Sequence, residues 1–108
     1  MSFKDKVCVV TGGANGIGLS IVREFARLGA KLAIIDIDKQ AGEKLLNEIK
    51  GMGSDVLFFL GDIAFEDTLK AFTAKVIETY GRVDYLINNA CISRKGIKSG
   101  CSFDDFNY

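Results

Sequence analysis

The segment Thr11-Gly12-Gly13-Ala14-Asn15-Gly16-Ile17-Gly18 sets four glycines between an apolar run, Val7 to Val10, and a helical pattern. Glycine lacks a Cβ, so its backbone can approach a pyrophosphate closely, and a helix N-terminus offers unpaired N–H groups at the positive end of its dipole. The chemistry indicated is phosphate binding, with a tight strand-to-helix turn that holds no ligand as the alternative. Gly13-x4-Gly18 has the outer frame of a nucleoside-triphosphate loop, but Leu19 stands where that loop needs a lysine for the β and γ phosphates. The ordinary dinucleotide pattern G-x-G-x-x-G also misfits, because Gly16-Ile17-Gly18-Leu19-Ser20-Ile21 lacks the third glycine. The spacing Gly12-x3-Gly16-x-Gly18 is therefore a pattern of its own. Side chains at Gly16 and Gly18 are expected to be excluded by the approach of the pyrophosphate rather than by packing.

Further polar residues fall where other apolar runs end. Asp36 follows Leu32 to Ile35, eighteen positions beyond Gly18, where a carboxylate can accept hydrogen bonds from both hydroxyls of an adenosine ribose. A surface turn acid or a helix cap is the alternative. Since Asp38 can serve as the cap, Asp36 is expected to be free for the ribose. Gly61-Asp62-Ile63 follows Val56 to Leu60, and Asp62 could meet an adenine amino group, although an acid after a strand is also common turn chemistry. Asn88-Asn89-Ala90 follows Val83 to Ile87. Paired amides there either satisfy backbone groups of neighbouring strands or line the ribose, the structural role being at least as good for Asn88.

These positions depend on the elements that carry them. The chain repeats a unit of apolar strand, turn, amphipathic helix and glycine. After Val7 to Val10, Ile17, Ile21, Phe25 and Leu28 fall on one helical face, with Gly29 placed to cap its end. After Leu32 to Ile35, Asp38 can N-cap a helix carrying Leu45, Leu46, Ile49 and Met52 inward, followed by Gly53. After Val56 to Leu60, Leu69, Phe72, Val76 and Tyr80 make a third stripe ending at Gly81, with Lys70, Thr73, Lys75 and Glu78 on its wet side. Val83 to Ile87 supplies a fourth strand. Apolar strands alternating with helices mean a parallel sheet covered on both faces and joined by right-handed crossovers, a doubly wound α/β fold. Such a sheet binds ligand beyond the carboxyl ends of its strands, where the strand order reverses.

Composition narrows the partners. The 108 residues, 48% hydrophobic and 26% charged, fit one soluble globular domain and exclude disorder, collagen and coiled coil. Fourteen Lys and Arg balance fourteen Asp and Glu, so no basic field exists to hold nucleic acid or an anionic membrane surface. The most apolar run, Val56 to Leu60, falls far short of the roughly 18 to 20 residues that span a bilayer. The N-terminus shows no signal peptide pattern. Cys8, Cys91 and Cys101 are an odd number of thiols, which fits a reducing cytoplasm better than a disulfide framework, and Cys8 reads as a small core residue. With no histidine and scattered cysteines, a metal site is not expected.

Thr11-Gly12-x3-Gly16-Ile17-Gly18, Asp36, Asp62-Ile63, Gly81-Arg82-Val83-Asp84 and Asn88-Asn89-Ala90 occur in the order and spacing of the short-chain dehydrogenase/reductase family, which this sequence resembles up to about Ile92. The resemblance implies a Rossmann-type doubly wound parallel sheet and NAD as cofactor. It would place Gly12, Asn15, Gly16, Ile17 and Gly18 around the pyrophosphate and ribose, Asp36 on the adenosine ribose, Asp62 and Ile63 at the adenine, and Asn89 and Ala90 near the other ribose. Cys91 departs from the glycine usual in the family, and its side chain could crowd the backbone beside the cofactor.

The resemblance also implies hydride exchange between nicotinamide and a small-molecule alcohol or carbonyl. Family members use a Tyr as proton donor or acceptor, a Lys four residues later that lowers its pKa, and a Ser that orients the carbonyl. No Tyr-x-x-x-Lys exists here: Tyr80 is followed by Asp84, Tyr85 by Asn89, and Tyr108 is the last residue. No catalytic residue is therefore assigned. Ser102-Phe103-Asp104-Asp105-Phe106 reads as a helix start just before the sequence stops. Residues 1–108 are thus expected to be the N-terminal part of one dinucleotide-binding domain, four strands and three helices of it, with the catalytic half absent. A non-catalytic dinucleotide-binding or sensor module would share every motif. A self-sufficient small module would leave the fourth strand as an unprotected edge. Any homo-oligomer would form through segments not present in this stretch.

Overall fold

The computed structural model describes residues 2–89; the expectations for Ala90, Cys91, Cys101 and the helix start at Ser102 lie outside them. Four strands and three helices alternate as expected: β1 (Val7–Thr11), α1 (Gly16–Arg27), β2 (Lys31–Asp36), α2 (Lys39–Gly51), β3 (Val56–Leu60), α3 (Glu66–Tyr80) and β4 (Tyr85–Asn88). All pairings are parallel and the sheet order is β3-β2-β1-β4. The chain steps outward from β1 to β2 to β3, then returns to the other side of β1 with β4. The strand order therefore reverses at β1, and the glycine turn leaves its carboxyl end.

The period of two along β1 divides the core between the two faces. Cys8 and Val10 point to one face and pack with Leu32, Ile34, Val22, Ala26, Leu45 and Ile49 beneath α1 and α2. Val7 and Val9 point to the other and pack with Ala33, Ile35, Phe72 and Val76 beneath α3. Every residue of β1 is buried, which is why it reads as an uninterrupted apolar run. Cys8 is a buried free thiol, pushed up to about 11 by desolvation with Asp84 adding to it.

Three local expectations need correction. The face of α1 buried on the sheet is Gly18, Val22 and Ala26, not the stripe of Ile17, Ile21, Phe25 and Leu28; Ile17 is 74% exposed. Small residues lie nearest the sheet because they let the helix backbone come close, so the large side chains flank the seam rather than define it. β4 also starts later than Val83. Asp84 forms the junction: its N–H donates to the Val7 carbonyl at 2.9 Å, and its carboxylate accepts the Val7 N–H at 2.8 Å and an Arg82 guanidinium N–H at 2.6 Å. These partners hold the Asp84 carboxyl below its ordinary range, the Val7 N–H contributing most. Met52, expected inward, is largely exposed at the end of α2.

Among the described residues β4 pairs with β1 alone, and Leu86 on it is 58% exposed. No described helix is long and apolar enough to cross a membrane.

Candidate functional site

The turn after β1 is built by long-range contacts, not by its own residues. Thr11, buried, accepts the Asn89 N–H on Oγ1 at 3.0 Å. Gly12 donates its N–H to the Ile35 carbonyl at 2.8 Å, which carries the β1–β2 ladder one step further. The Asn89 side chain donates to the Gly12 carbonyl at 3.0 Å. A Cβ on Gly18 would run into that Gly12 carbonyl and stand 2.6 Å from the Asn89 amide nitrogen. Gly18 is thus required by packing against the turn and β4, which corrects the expectation that only ligand approach excludes a side chain there. Gly16 behaves differently. Its φ of +57° is disfavoured for side-chain residues, while the space around it is open.

Asn15 occupies the N-cap position of α1 but forms no side-chain cap, and the first turn of that helix carries no acid. The Asn15 amide instead donates to Asp38 at 3.0 Å. α2 offers the contrast: Asp38 caps it by accepting the Ala41 N–H at 3.0 Å, as expected. That N–H first, then the Asn15 amide, holds the Asp38 carboxyl below its ordinary range. A side chain thus caps the start of α2, whereas among the described residues none caps the start of α1, whose N-terminal N–H groups are left to receive an anion.

Asp36 is not free in the sense expected. Its carboxylate accepts the Ala14 N–H at 3.0 Å and the Asp38 N–H at 3.1 Å, one on each oxygen, so it braces the glycine turn against the end of β2. A carboxylate offers about four lone-pair sites, so capacity for two further hydroxyl donors remains. Asp36 shares a cleft of about 90 Å³ with Gly12, Ile35, Ile37, Gly61, Asp62 and Ile63. Gly12, Asp36, Asp62 and Ile63, four of the residues singled out from sequence, thus meet in one place. Asp62 also shapes its own turn, accepting the Ala64 N–H at 2.8 Å.

Asn89 acts structurally through both contacts above, while exposed Asn88 borders a larger apolar cavity of about 530 Å³ with Thr11, Ile63, Phe72 and Leu86. Sequence reasoning missed Ile37 and Gly61 as cleft residues and Ala14 as the Asp36 partner. Their signal was adjacency to the strand ends.

Neither described tyrosine is placed as a proton donor. The Tyr80 hydroxyl donates to the Leu32 carbonyl at 3.2 Å, and burial, with Asp55 adding to it, pushes the phenol up to about 12. Tyr85 sits in a ring cluster with Phe3 and Phe25. No group of three or more His, Cys, Asp or Glu among the described residues could hold a metal ion.

Known proteins share this arrangement. The sequence pattern of the short chain dehydrogenase family matches residues 6–107. An uncharacterized oxidoreductase of Thermotoga maritima is 40% identical over 106 residues, 98% of this chain and 41% of its own length. The crystal structure of an NAD+-bound xylitol dehydrogenase superposes with a TM-score of 0.81 at 29% identity, covering 85% of this chain and 35% of that one. A metagenomic short-chain oxidoreductase in complex with NADP gives a TM-score of 0.80 at 33% identity, over 85% of this chain and 42% of its own. The chain thus spans about two fifths of the length of the relatives it matches. By its sequence pattern and its Rossmann-type sheet, the chain belongs to the short chain dehydrogenase family of oxidoreductases.

Proposed function

We propose that this chain supplies the adenosine side of an NAD site in an oxidoreductase that interconverts an alcohol and a ketone or aldehyde. In this reading residues 1–108 are the N-terminal part of a single dinucleotide-binding domain, and the proton-transfer residues are contributed from beyond it. The observation that carries the reading is the uncapped start of α1 at the point of strand-order reversal, with Asp36 braced beside it through Ala14.

The residues present fit the cofactor. Gly16 and Ile17, with the N-terminal N–H groups of α1, would hold the pyrophosphate, and the open space at Gly16 leaves room for it. Gly12 and Asn15 would border it, Gly18 and Asn89 would keep the turn in shape, and Ala90 would follow at the second ribose. Asp36 would accept from the adenosine ribose hydroxyls. Asp62 and Ile63, across the 90 Å³ cleft, would contact the adenine. NAD, when bound, supplies the hydride acceptor. What these residues do is bind and orient one half of it.

NAD is favoured over NADP on charge. A 2′-phosphate about 4 Å from a carboxylate meets repulsion of about 4 kcal/mol per unit charge at an effective dielectric near 20, less where solvent screens it. The partly exposed Asp36 is that carboxylate. The substrate is a small molecule in this reading and the location the cytoplasm, the latter on the odd number of cysteines, which fits reduced thiols better than a disulfide framework. Titration with NAD and NADP tests the proposal. NAD should bind at least about tenfold more tightly; equal or tighter NADP binding would sink the NAD assignment.

A further inference from the structure

Asn15 is the only asparagine of the chain that precedes a glycine. Both residues are exposed at the start of α1, Asn15 extended at φ −137° and ψ 159° and Gly16 at φ +57°. Glycine carries no side chain to shield its own backbone nitrogen, and nothing lies within 4 Å of where a Cβ on Gly16 would stand. Its place at the helix start also leaves the Gly16 N–H without an intrahelical acceptor. The Asn15 amide, in turn, is not engaged in capping α1; it is tied to the Asp38 carboxylate at 3.0 Å.

We propose that Asn15-Gly16 is a deamidation site at which the chain loses dinucleotide affinity as it ages, and that bound cofactor protects it. The inference rests on the reading of the start of α1 as the pyrophosphate site. In the reaction the Gly16 nitrogen, its proton given up to base in solution, attacks Asn15 Cγ. The N–Cγ bond forms, the Cγ–Nδ2 bond breaks, and Nδ2 leaves as ammonia after taking a proton from water. Water then opens the cyclic imide at either carbonyl, giving aspartate or isoaspartate. The sum is asparagine and water to carboxylic acid and ammonia, with nothing oxidised or reduced.

In the folded turn the extended ψ of Asn15 leaves the Gly16 nitrogen out of line for attack on Cγ. The reaction therefore passes through a local opening in which the bond to Asp38 breaks and ψ rotates. A pyrophosphate on the first N–H groups of α1 would fix that nitrogen and close the opening, so the rate should follow the fraction of chain left unbound. The product differs in charge. A carboxylate at position 15 has no donor for Asp38 and meets it as a like charge, beside the place where the pyrophosphate would sit. Isoaspartate also adds a methylene to the backbone next to Ala14, whose N–H is held by Asp36.

For the test, the chain is aged in mildly alkaline buffer, alone and with NAD over a range of concentrations. Each asparagine is followed by peptide mass mapping, with isoaspartate read from its own fragment ions. Asn15 should convert faster than any other asparagine. NAD should slow that conversion in proportion to the ratio of its concentration to its Kd, about a hundredfold at about a hundred times Kd. The acidic product, separated by ion exchange, should bind NAD at least about tenfold more weakly than fresh chain. Asn15→Ser, which cannot form the imide and can still cap α1, should keep its own starting affinity through the same ageing; an equal loss there would place the cause elsewhere and overturn the inference. So would an Asn15 that stays intact in the native chain while it converts in denaturant, a rate indifferent to bound NAD, or an aged product of undiminished affinity, each of which leaves the cofactor reading standing. Fresh chain that does not bind NAD overturns both.

Discussion

The carboxylate of Asp36, the last residue of β2, accepts the backbone N–H of Ala14, in the turn after β1, at 3.0 Å. One side chain thus braces the phosphate turn and faces the cleft assigned to the ribose. Asp36→Ala should therefore damage both functions. Loss of hydrogen bonds to a charged acceptor is expected to cost about 1 to 3 kcal/mol of stability, and dinucleotide affinity should fall in parallel. Denaturant unfolding alongside NAD titration checks this; a variant of unchanged stability would mean that the brace is idle.

Gly18→Ala should destabilise the fold as well as weaken binding. The added Cβ meets the Gly12 carbonyl, a backbone atom that cannot swing aside, and overpacking of this kind costs about 1 to 3 kcal/mol. Gly16→Ala should lose about 1 to 2 kcal/mol by conformation alone, and Gly16→Asn less, since Asn tolerates the left-handed region better. Thermal melts of the three variants separate the two causes.

Acid should weaken the fold through Asp84. Its carboxyl is held below the ordinary 3.8 in the folded chain, so its stabilisation is present above that value and is lost as pH falls through the folded pKa. Asp84→Asn should be less stable than the parent at pH 7, with the difference shrinking toward pH 3. Paired denaturant curves at the two pH values would show it; a constant difference would exclude the carboxylate charge as the cause.

Tyr80 should act at the alkaline end. Its phenol is raised from 10.0 to about 12 in the folded state, so the neutral form is favoured and stability declines as pH rises between those values. Ultraviolet titration of the native chain should show one tyrosine ionising near pH 12, absent in Tyr80→Phe. Removing the hydrogen bond to Leu32 should itself cost about 1 kcal/mol.

Residues 1–108 alone should show no dehydrogenase turnover with NAD and a panel of alcohols. No tyrosine here is followed four positions on by lysine, and losing an acid–base group alone typically removes about 10² to 10⁴ in rate. Substrate-dependent NADH formation by the purified chain would contradict this and require a proton donor among residues described above as structural.

The order of strands and helices, the parallel sheet and the placing of Gly12, Asp36 and Asp62 at strand ends could all be read from sequence, because apolar periodicity is local and the handedness of crossovers leaves few topologies. The capping of α2 by Asp38 was legible for the same reason. The buried face of α1 was not, since the small residues Gly18, Val22 and Ala26 owe their position to the sheet beneath them rather than to their size. Nor could sequence show that Gly18 is required by the Gly12 carbonyl and Asn89, because Asn89 reaches Gly12 across 77 positions only when β4 lies beside β1. The double engagement of Asp36 and the diversion of Asn15 from its own helix to Asp38 were likewise decided by tertiary structure. Residue type limits which hydrogen bonds a side chain can make, but its partner depends on which strand ends the sheet brings together.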